Sequence, residues 1–137
     1  SHDGYLGDSV IGEWCNLGAG TTNSNLKNNA SKIRMYSRSE KAMINSELIK
    51  CGVIMGDYSR SSINTSFNTG TVVGVCANVF GSGLSPKYIP SFSWGADGAG
   101  EYAFDKAIDD IDKWKKLKGR FLTEQEKNRL RLIFEQN

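Results

Sequence analysis

MGDYSRSSINTSFNTGTVVGVCANVF, residues 55–80, places its apolar and small residues six positions apart. Stepping by six from Met55 meets Met55, Ser61, Phe67, Val73 and Val79, four of the five apolar. The residues that follow these leads are Gly56, Ser62, Asn68, Gly74 and Phe80, and those four places on are Ser59, Thr65, Thr71 and Ala77, all small. The same register runs from Ile11: Ile11-Gly12 and Leu17-Gly18, with Cys15 and Thr21 at the small position. Leu6-Gly7 is out of step by one, and Tyr5 takes the strict register. A period of six fits neither a helix at 3.6 residues per turn nor a two-faced strand. It fits a chain that makes a short strand, turns a corner and repeats, three times per coil, which is the hexapeptide pattern of a parallel β-helix. The lead points into the prism, the small residue packs near the next corner, and Gly or Asn after the lead is expected to tolerate the turn conformation.

Working outward, the fold class is mainly β, with the prism expected over residues 1–84. Residues 23–51 break the register and are read as a loop thrust out of one coil. Within it KIRMYSRSEKAMIN alternates as a β-hairpin with residues 37–40 at the tip. Solenoids place insertions at corners, often on the binding face. The repeat is expected to stop after Gly83, with residues 85–100 an extended connector held by Tyr88, Ile89, Phe92 and Trp94. Residues 101–137 read as helices. Phe104, Ala107, Ile108, Ile111 and either Trp114 or Lys115 follow helical spacing to a stop near Gly119. Thr123 with Glu126 forms a capping box that starts a second helix carrying Leu130, Ile133 and Phe134. These helices are expected to be a cap or a subunit contact.

The chain of 137 residues suffices for one domain with a real core. Its 17 basic and 15 acidic residues nearly balance, at a net charge of +2, which gives no reason to expect a nucleic-acid partner. The cysteines Cys15, Cys51 and Cys76 are odd in number, far apart and without a CxxC pair. They argue against zinc and against a disulfide framework, and read as reduced cysteines packed as small apolar residues in a cytoplasmic protein. No apolar run approaches the roughly 20 residues of a membrane span, and no signal peptide is expected. The sequence lacks an initiating Met and starts within a coil, so earlier coils, or a partner over that end, are expected.

No GxSxG, P-loop, GxGxxG or HExxH occurs. The chain's one histidine, His2, is the side chain best suited to proton transfer near neutrality. Its neighbourhood, HDGYLGDSVIGEWCNLGAGTTNSN, resembles the acetyltransferase half of the bifunctional glucosamine-1-phosphate acetyltransferase / N-acetylglucosamine-1-phosphate uridyltransferase family. His2, Tyr5, Leu6, Gly7, Asp8, Ile11, Gly12, Asn16, Leu17, Gly18, Ala19, Gly20, Thr21 and Asn25 carry the match. SNLKNN, INTSFNTGTVVG and PSFSWG are similar to a bacterial long-loop branch of sugar-1-phosphate nucleotidyltransferases, often labelled glucose-1-phosphate thymidylyltransferase. The resemblance covers residues 2 to about 95 and extends to the helical tail.

The resemblance implies a left-handed parallel β-helix, a homotrimer with coenzyme A bound between subunits, acetyl-CoA as cosubstrate and an amino-sugar 1-phosphate as acceptor. His2 falls on the general base, Tyr5 and Asn16 on sugar-phosphate contacts, and Ala19 and Asn25 on acetyl-CoA contacts. Lys32 falls near the cation for the sugar phosphate, with Lys27 as a rival. No metal is implied in this segment. Mg belongs with the nucleotidyltransferase active site, expected in an N-terminal domain outside this chain. Three positions depart from the pattern: Leu26 stands where the family has Tyr, Ile63 where it has a serine contact, and Phe80 or Gly81 near its last alanine contact. They support a second reading, a non-catalytic β-helix that oligomerises or regulates a nucleotidyltransferase. A third, a free-standing structural solenoid, leaves the N-terminal end bare.

Overall fold

A computed structural model describes residues 2–95 and 97–137; Ser1 and Ala96, which fall in the expected prism and connector, lie outside the described residues. Along the chain, two-residue strands β1 (Val10–Ile11), β2 (Asn16–Leu17) and β3 (Thr22–Asn23) precede a longer hairpin, β4 (Arg34–Ser37) and β5 (Ala42–Asn45). Short strands resume as β6 (Ile54–Met55), β7 (Arg60–Ser61), β8 (Ser66–Phe67), β9 (Val72–Val73), β10 (Asn78–Val79) and β11 (Tyr88–Ile89), followed by helices α1 (Phe104–Lys116) and α2 (Glu124–Glu135).

The short strands stack in parallel as three faces. The first runs β1-β6-β9-β11, the second β2-β7-β10, and the third pairs β3 with β8. Register is strict: Ile11 lies over Met55, Met55 over Val73, and Val73 over Ile89. Tyr5 bridges to Thr22 and Ser66 to Leu84, extending the third face at both ends. Partners such as Ile54 and Val72 lie three hexads apart in sequence, so each coil of this parallel β-helix is three hexads. Leads Met55, Phe67, Val73, Val79 and Ile89 are buried along the axis, and small residues Ser59, Thr65, Thr71 and Ala77 are buried beside them.

Several expectations change. The glycines after the leads are not the turn residues. Left-handed backbone falls instead three residues after the leads Ile11, Leu17, Met55, Ser61, Phe67, Val73 and Ile89, at Trp14 (φ 58), Gly20, Tyr58 (φ 62), Asn64 (φ 57), Gly70, Cys76 (φ 57) and Phe92 (φ 57), and also at Asp8 (φ 50). Each non-glycine there costs about 1 kcal/mol or more, which the surrounding ladder must offset. The glycines serve close approach: a Cβ on Gly12, Gly18, Gly56 or Gly74 would overlap the backbone of the next coil at Asp57, Ile63, Gly74 or Ser91 respectively. The prism also runs past Gly83. A hexad shortened by two residues carries the chain from β9 to β11, so Tyr88 and Ile89 form a rung rather than a connector. The insertion likewise begins later than residue 23, because Thr22 and Asn23 still pair with Ser66 and Phe67.

The hairpin has the expected form, its four-residue strands pairing from Arg34↔Asn45 to Ser37↔Ala42. The helices lie along an edge of the prism. Tyr102, Phe104, Ala107, Ile111, Leu122 and Leu130 cluster with Cys76 and Phe92, and Tyr58 and Val75 pack against the cluster. Tyr58, Cys76 and Phe92 are left-handed corner residues between the first and second faces. Of the two alternatives in α1, Lys115 is the buried one. Its ammonium pairs with Glu126 Oε2 at 2.8 Å and lies over the rings of Trp14 and Tyr58. Tyr58 donates its hydroxyl proton to the same carboxylate oxygen at 2.8 Å, and Thr123 with Glu126 completes the capping box.

Substituting Gly74→Ala is expected to lower unfolding free energy by about 1–3 kcal/mol in urea titration, because the methyl meets the backbone of Ser91. Lys115, and after it Tyr58, hold the Glu126 carboxyl down at about 2 from an ordinary 4.5. That stabilisation is fully present above about pH 4.5 and is lost as pH falls towards about 2. Glu126→Gln should therefore cost about 2–3 kcal/mol at pH 6 and lose less further stability at pH 3 than the parent protein does, again read by urea unfolding.

Candidate functional site

The segment from His2 to Tyr5 is laid on the coil that carries residues 17–23. Gly20 N donates to Asp3 O at 2.7 Å, Tyr5 N to Thr21 O at 3.2 Å, and Asn23 N to Tyr5 O at 3.1 Å. Gly4, at φ 138, allows the crossing, since a Cβ there would overlap Thr21 O. Tyr5 pairs with the outward Thr22, so Leu6 and not Tyr5 takes the inward place beside Asn23, against the strict six-residue register. His2, next to Asp3 whose carbonyl takes the Gly20 N–H, thus stands on the edge between the second and third faces. Its imidazole is exposed, with only a long 3.4 Å approach of Nδ1 to Asp3 O. It opens on a shallow depression of about 130 Å³ lined also by Tyr5, Leu6, Leu17, Gly18 and Thr21.

Tyr5 leads from this depression to Asn25. Asn25 Nδ2 donates to Tyr5 Oη at 3.1 Å and to Asp8 Oδ2 at 2.6 Å. The Tyr5 hydroxyl lies where a Cβ on Gly7 would be, so glycine at 7 is what lets it lie there. Beneath, Asn23 holds the turn in place. Its buried Oδ1 accepts from Gly7 N at 2.8 Å, and its Nδ2 donates to Gly7 O at 3.0 Å and Ser24 O at 3.1 Å. Asn23 is the supporting residue that sequence reading missed. Continuing the six-residue step from Leu17 lands on it, a polar residue at an inward position.

The remaining expected residues are dispersed. Ala19 is exposed on the edge that carries His2, its carbonyl accepting from Asn64 N at 2.8 Å. Asn16 lies exposed on the second face beside Arg60. Lys32 lies in the insertion, its ammonium paired with Glu47 and both side chains exposed. Lys27 sits close enough to Lys87 to depress that ammonium's pKa, an effect second to burial. Within one chain Tyr5 lines the depression with His2 and meets Asn25 by a hydrogen bond, and neither Asn16 nor Lys32 takes part in either contact. Of the departing positions, Leu26 is exposed and bridges to Lys50 at the root of the insertion. Ile63, 67% exposed, occupies the place of Ala19 one coil on. One coil further the register puts Gly81 at that place and Phe80 over Ser62, the Phe80 ring edge-on to Trp94 at 5.2 Å.

The three cysteines are free thiols, and burial pushes the pKa of each upward, most strongly at Cys76. None is activated as a nucleophile. Among the described residues no cluster of three or more His, Cys, Asp or Glu side chains has the arrangement of a metal site, and no helix is long and apolar enough to cross a membrane.

No protein-family model matches the chain. Individual relatives do. The bifunctional protein GlmU of Methanocaldococcus jannaschii is 38% identical over 73 residues, which are 53% of this chain and 17% of that protein. A bifunctional sugar-1-phosphate nucleotidylyltransferase/acetyltransferase of Sulfurisphaera tokodaii is 33% identical over 79 residues, 58% of this chain and 19% of the relative. The bifunctional protein GlmU of Methanococcus aeolicus is 34% identical over 73 residues, again 53% and 17%. The chain thus spans less than a fifth of the length of these relatives. Over about half of its length the chain is similar to proteins named bifunctional GlmU or bifunctional sugar-1-phosphate nucleotidylyltransferase/acetyltransferase, the family that the resemblance in the sequence points to.

Proposed function

We propose that this chain is the acetyltransferase domain of a cytoplasmic sugar-1-phosphate nucleotidyltransferase, a left-handed β-helix that transfers acetyl from acetyl-CoA to an amino-sugar 1-phosphate. The observation that carries the reading is the connected line from His2 through Tyr5 to Asn25 and Asp8 at the first coil. His2 accepts a proton from the sugar amine as the amine nitrogen attacks the thioester carbonyl. A C–N bond forms, the tetrahedral intermediate collapses, the C–S bond breaks, and the proton held on the imidazole passes to the departing thiolate of coenzyme A. An exposed imidazole on a rigid coil suits a base that must meet an incoming amine. Tyr5 orients the sugar phosphate, with Asn25 fixing its hydroxyl.

The narrow edge at Gly18, Ala19 and Gly20 leaves room for a pantetheine arm to lie close to the backbone. That neither Asn16 nor Lys32 lines the depression beside His2 supports a homotrimer, in which a neighbouring prism supplies further contacts. The outward side chains of the first face, Val10, Ile54 and Val72, are apolar, which also fits burial against another copy.

The test is release of coenzyme A by the full-length protein given glucosamine 1-phosphate and acetyl-CoA. His2→Ala should reduce the rate about 10²- to 10⁴-fold, and undiminished activity in that variant removes His2 from the chemistry. Ile63, projecting from the edge that carries Ala19, favours a second reading, a non-catalytic module of a nucleotidyltransferase. Inactivity of the full-length protein across a panel of amino-sugar phosphates would establish that reading instead.

A further inference from the structure

A second cavity lies away from His2. It measures about 480 Å³, within the range of small-molecule sites, and is lined by Tyr36, Arg38, Lys41, Tyr88, Pro90 and Gln136, with Asn137 at its rim. Three elements converge there: the tip of the hairpin, the last rung of the first face, and the end of α2. Each is fixed. At the hairpin root Ile33 is fully buried, and its side chain and that of Met35 fill the space that a Cβ on Gly70 would take. At the tip, Ser37 Oγ accepts from Glu40 N at 3.3 Å and lies 3.1 Å from Ser39 Oγ, with Lys41 in the left-handed region at φ 52. The rings of Tyr36 and Tyr88 stack with centroids 3.6 Å apart and planes at 11°. Asn137 is tied by its amide to Ser91 O.

The charges in this cleft are unmatched. Neither Arg38 nor Lys41 forms an ion pair or a side-chain hydrogen bond among the described residues, whereas the lysines of α1 at 106, 113, 115 and 116 are all paired with carboxylates. Two like charges at one wall repel, and an anion between them relieves that repulsion. Burial, and then its partner Tyr36, raises the pKa of Tyr88, so its hydroxyl keeps a proton to donate. The last turn of α2 has no basic residue of its own, so the two cations also face the negative end of that helix. That role uses no cavity and no stacked aromatic pair.

We propose that the cleft between the hairpin tip, Tyr88 and the end of α2 binds a phosphorylated small molecule, with Arg38 and Lys41 holding its phosphate and the tyrosine pair with Pro90 packing against the remainder. The proposal does not rest on the acetyl-transfer reading, and its site shares no residue with His2, Tyr5 or Asn25. It is tested by calorimetric titration of the full chain with inorganic pyrophosphate and, separately, uridine 5′-diphosphate. Saturable binding at or below about 1 mM is expected, weakened about 100-fold in Arg38→Gln/Lys41→Gln, at about tenfold per cation. Lys118→Gln should leave it unchanged. Equal affinity for both probes assigns the site to phosphate groups alone. Tighter binding of the nucleotide, with upfield shifts of the Tyr36 and Tyr88 ring protons, adds the nucleoside. Absence of saturable binding by either probe overturns the proposal. So does undiminished binding in the double variant, and if that variant also melts lower, the cations belong to the end of α2. Coenzyme A release measured on the same variants reads the His2 site separately and should not change.

Discussion

Everything in this molecule depends on how closely one coil can lie on the next. Parallel rungs sit about 4.8 Å apart, and that spacing holds over several coils only if nothing projects between backbones. Gly12, Gly18, Gly56 and Gly74 meet the condition, since a methyl at any of them would strike the adjacent coil. Once spacing and register are fixed, every residue has a face, an edge and a level. His2 is carried to its edge by backbone bonds to Gly20, Thr21 and Asn23 rather than by contacts of its own ring.

The left-handed corners divide the prism into edges of different character. Between the first and second faces the corners are Trp14, Tyr58, Cys76 and Phe92, bulky groups that α1 and α2 pack against. Between the second and third they are Gly20 and Asn64, small or polar, and this edge carries His2, Ala19 and Ile63. Between the third and first, Asp8 and Gly70 flank the exit of the hairpin, and Asp8 and Asn25 meet there. The first edge is covered by the helices and the third, at Gly70, by the root of the hairpin, which leaves the second open to solutes.

The inward positions were legible because burial in a narrow prism is nearly absolute, so from Met55 to Val79 the leads are apolar except at Ser61 and the small positions repeat throughout. The corner conformation was not, since here it falls on Trp, Tyr, Cys and Phe as often as on the residue types that favour it. The rung at Tyr88 and Ile89 escaped because a shortened hexad breaks the step while hydrogen bonding continues. At the candidate site, the motif spacing placed His2, Tyr5 and Asn25 where the fold connects them. Asn16 and Lys32 could not be placed that way, because proximity along the sequence says nothing about which of three faces a residue occupies.

Stacked-repeat proteins tend to fray one unit at a time, because each unit touches only its neighbours. Here Lys115 and Glu126 tie α1 to α2, and the pair reaches Trp14 on one coil and Tyr58 on the next, while the helices go on to Cys76 and Phe92 on the two after that. Four successive coils are thereby laced by one strut, and releasing any of them means undoing a contact shared by the rest. The strut turns a chain of weakly coupled units into one that opens as a whole, and so keeps the coil under His2 as rigid as the coils deep in the stack.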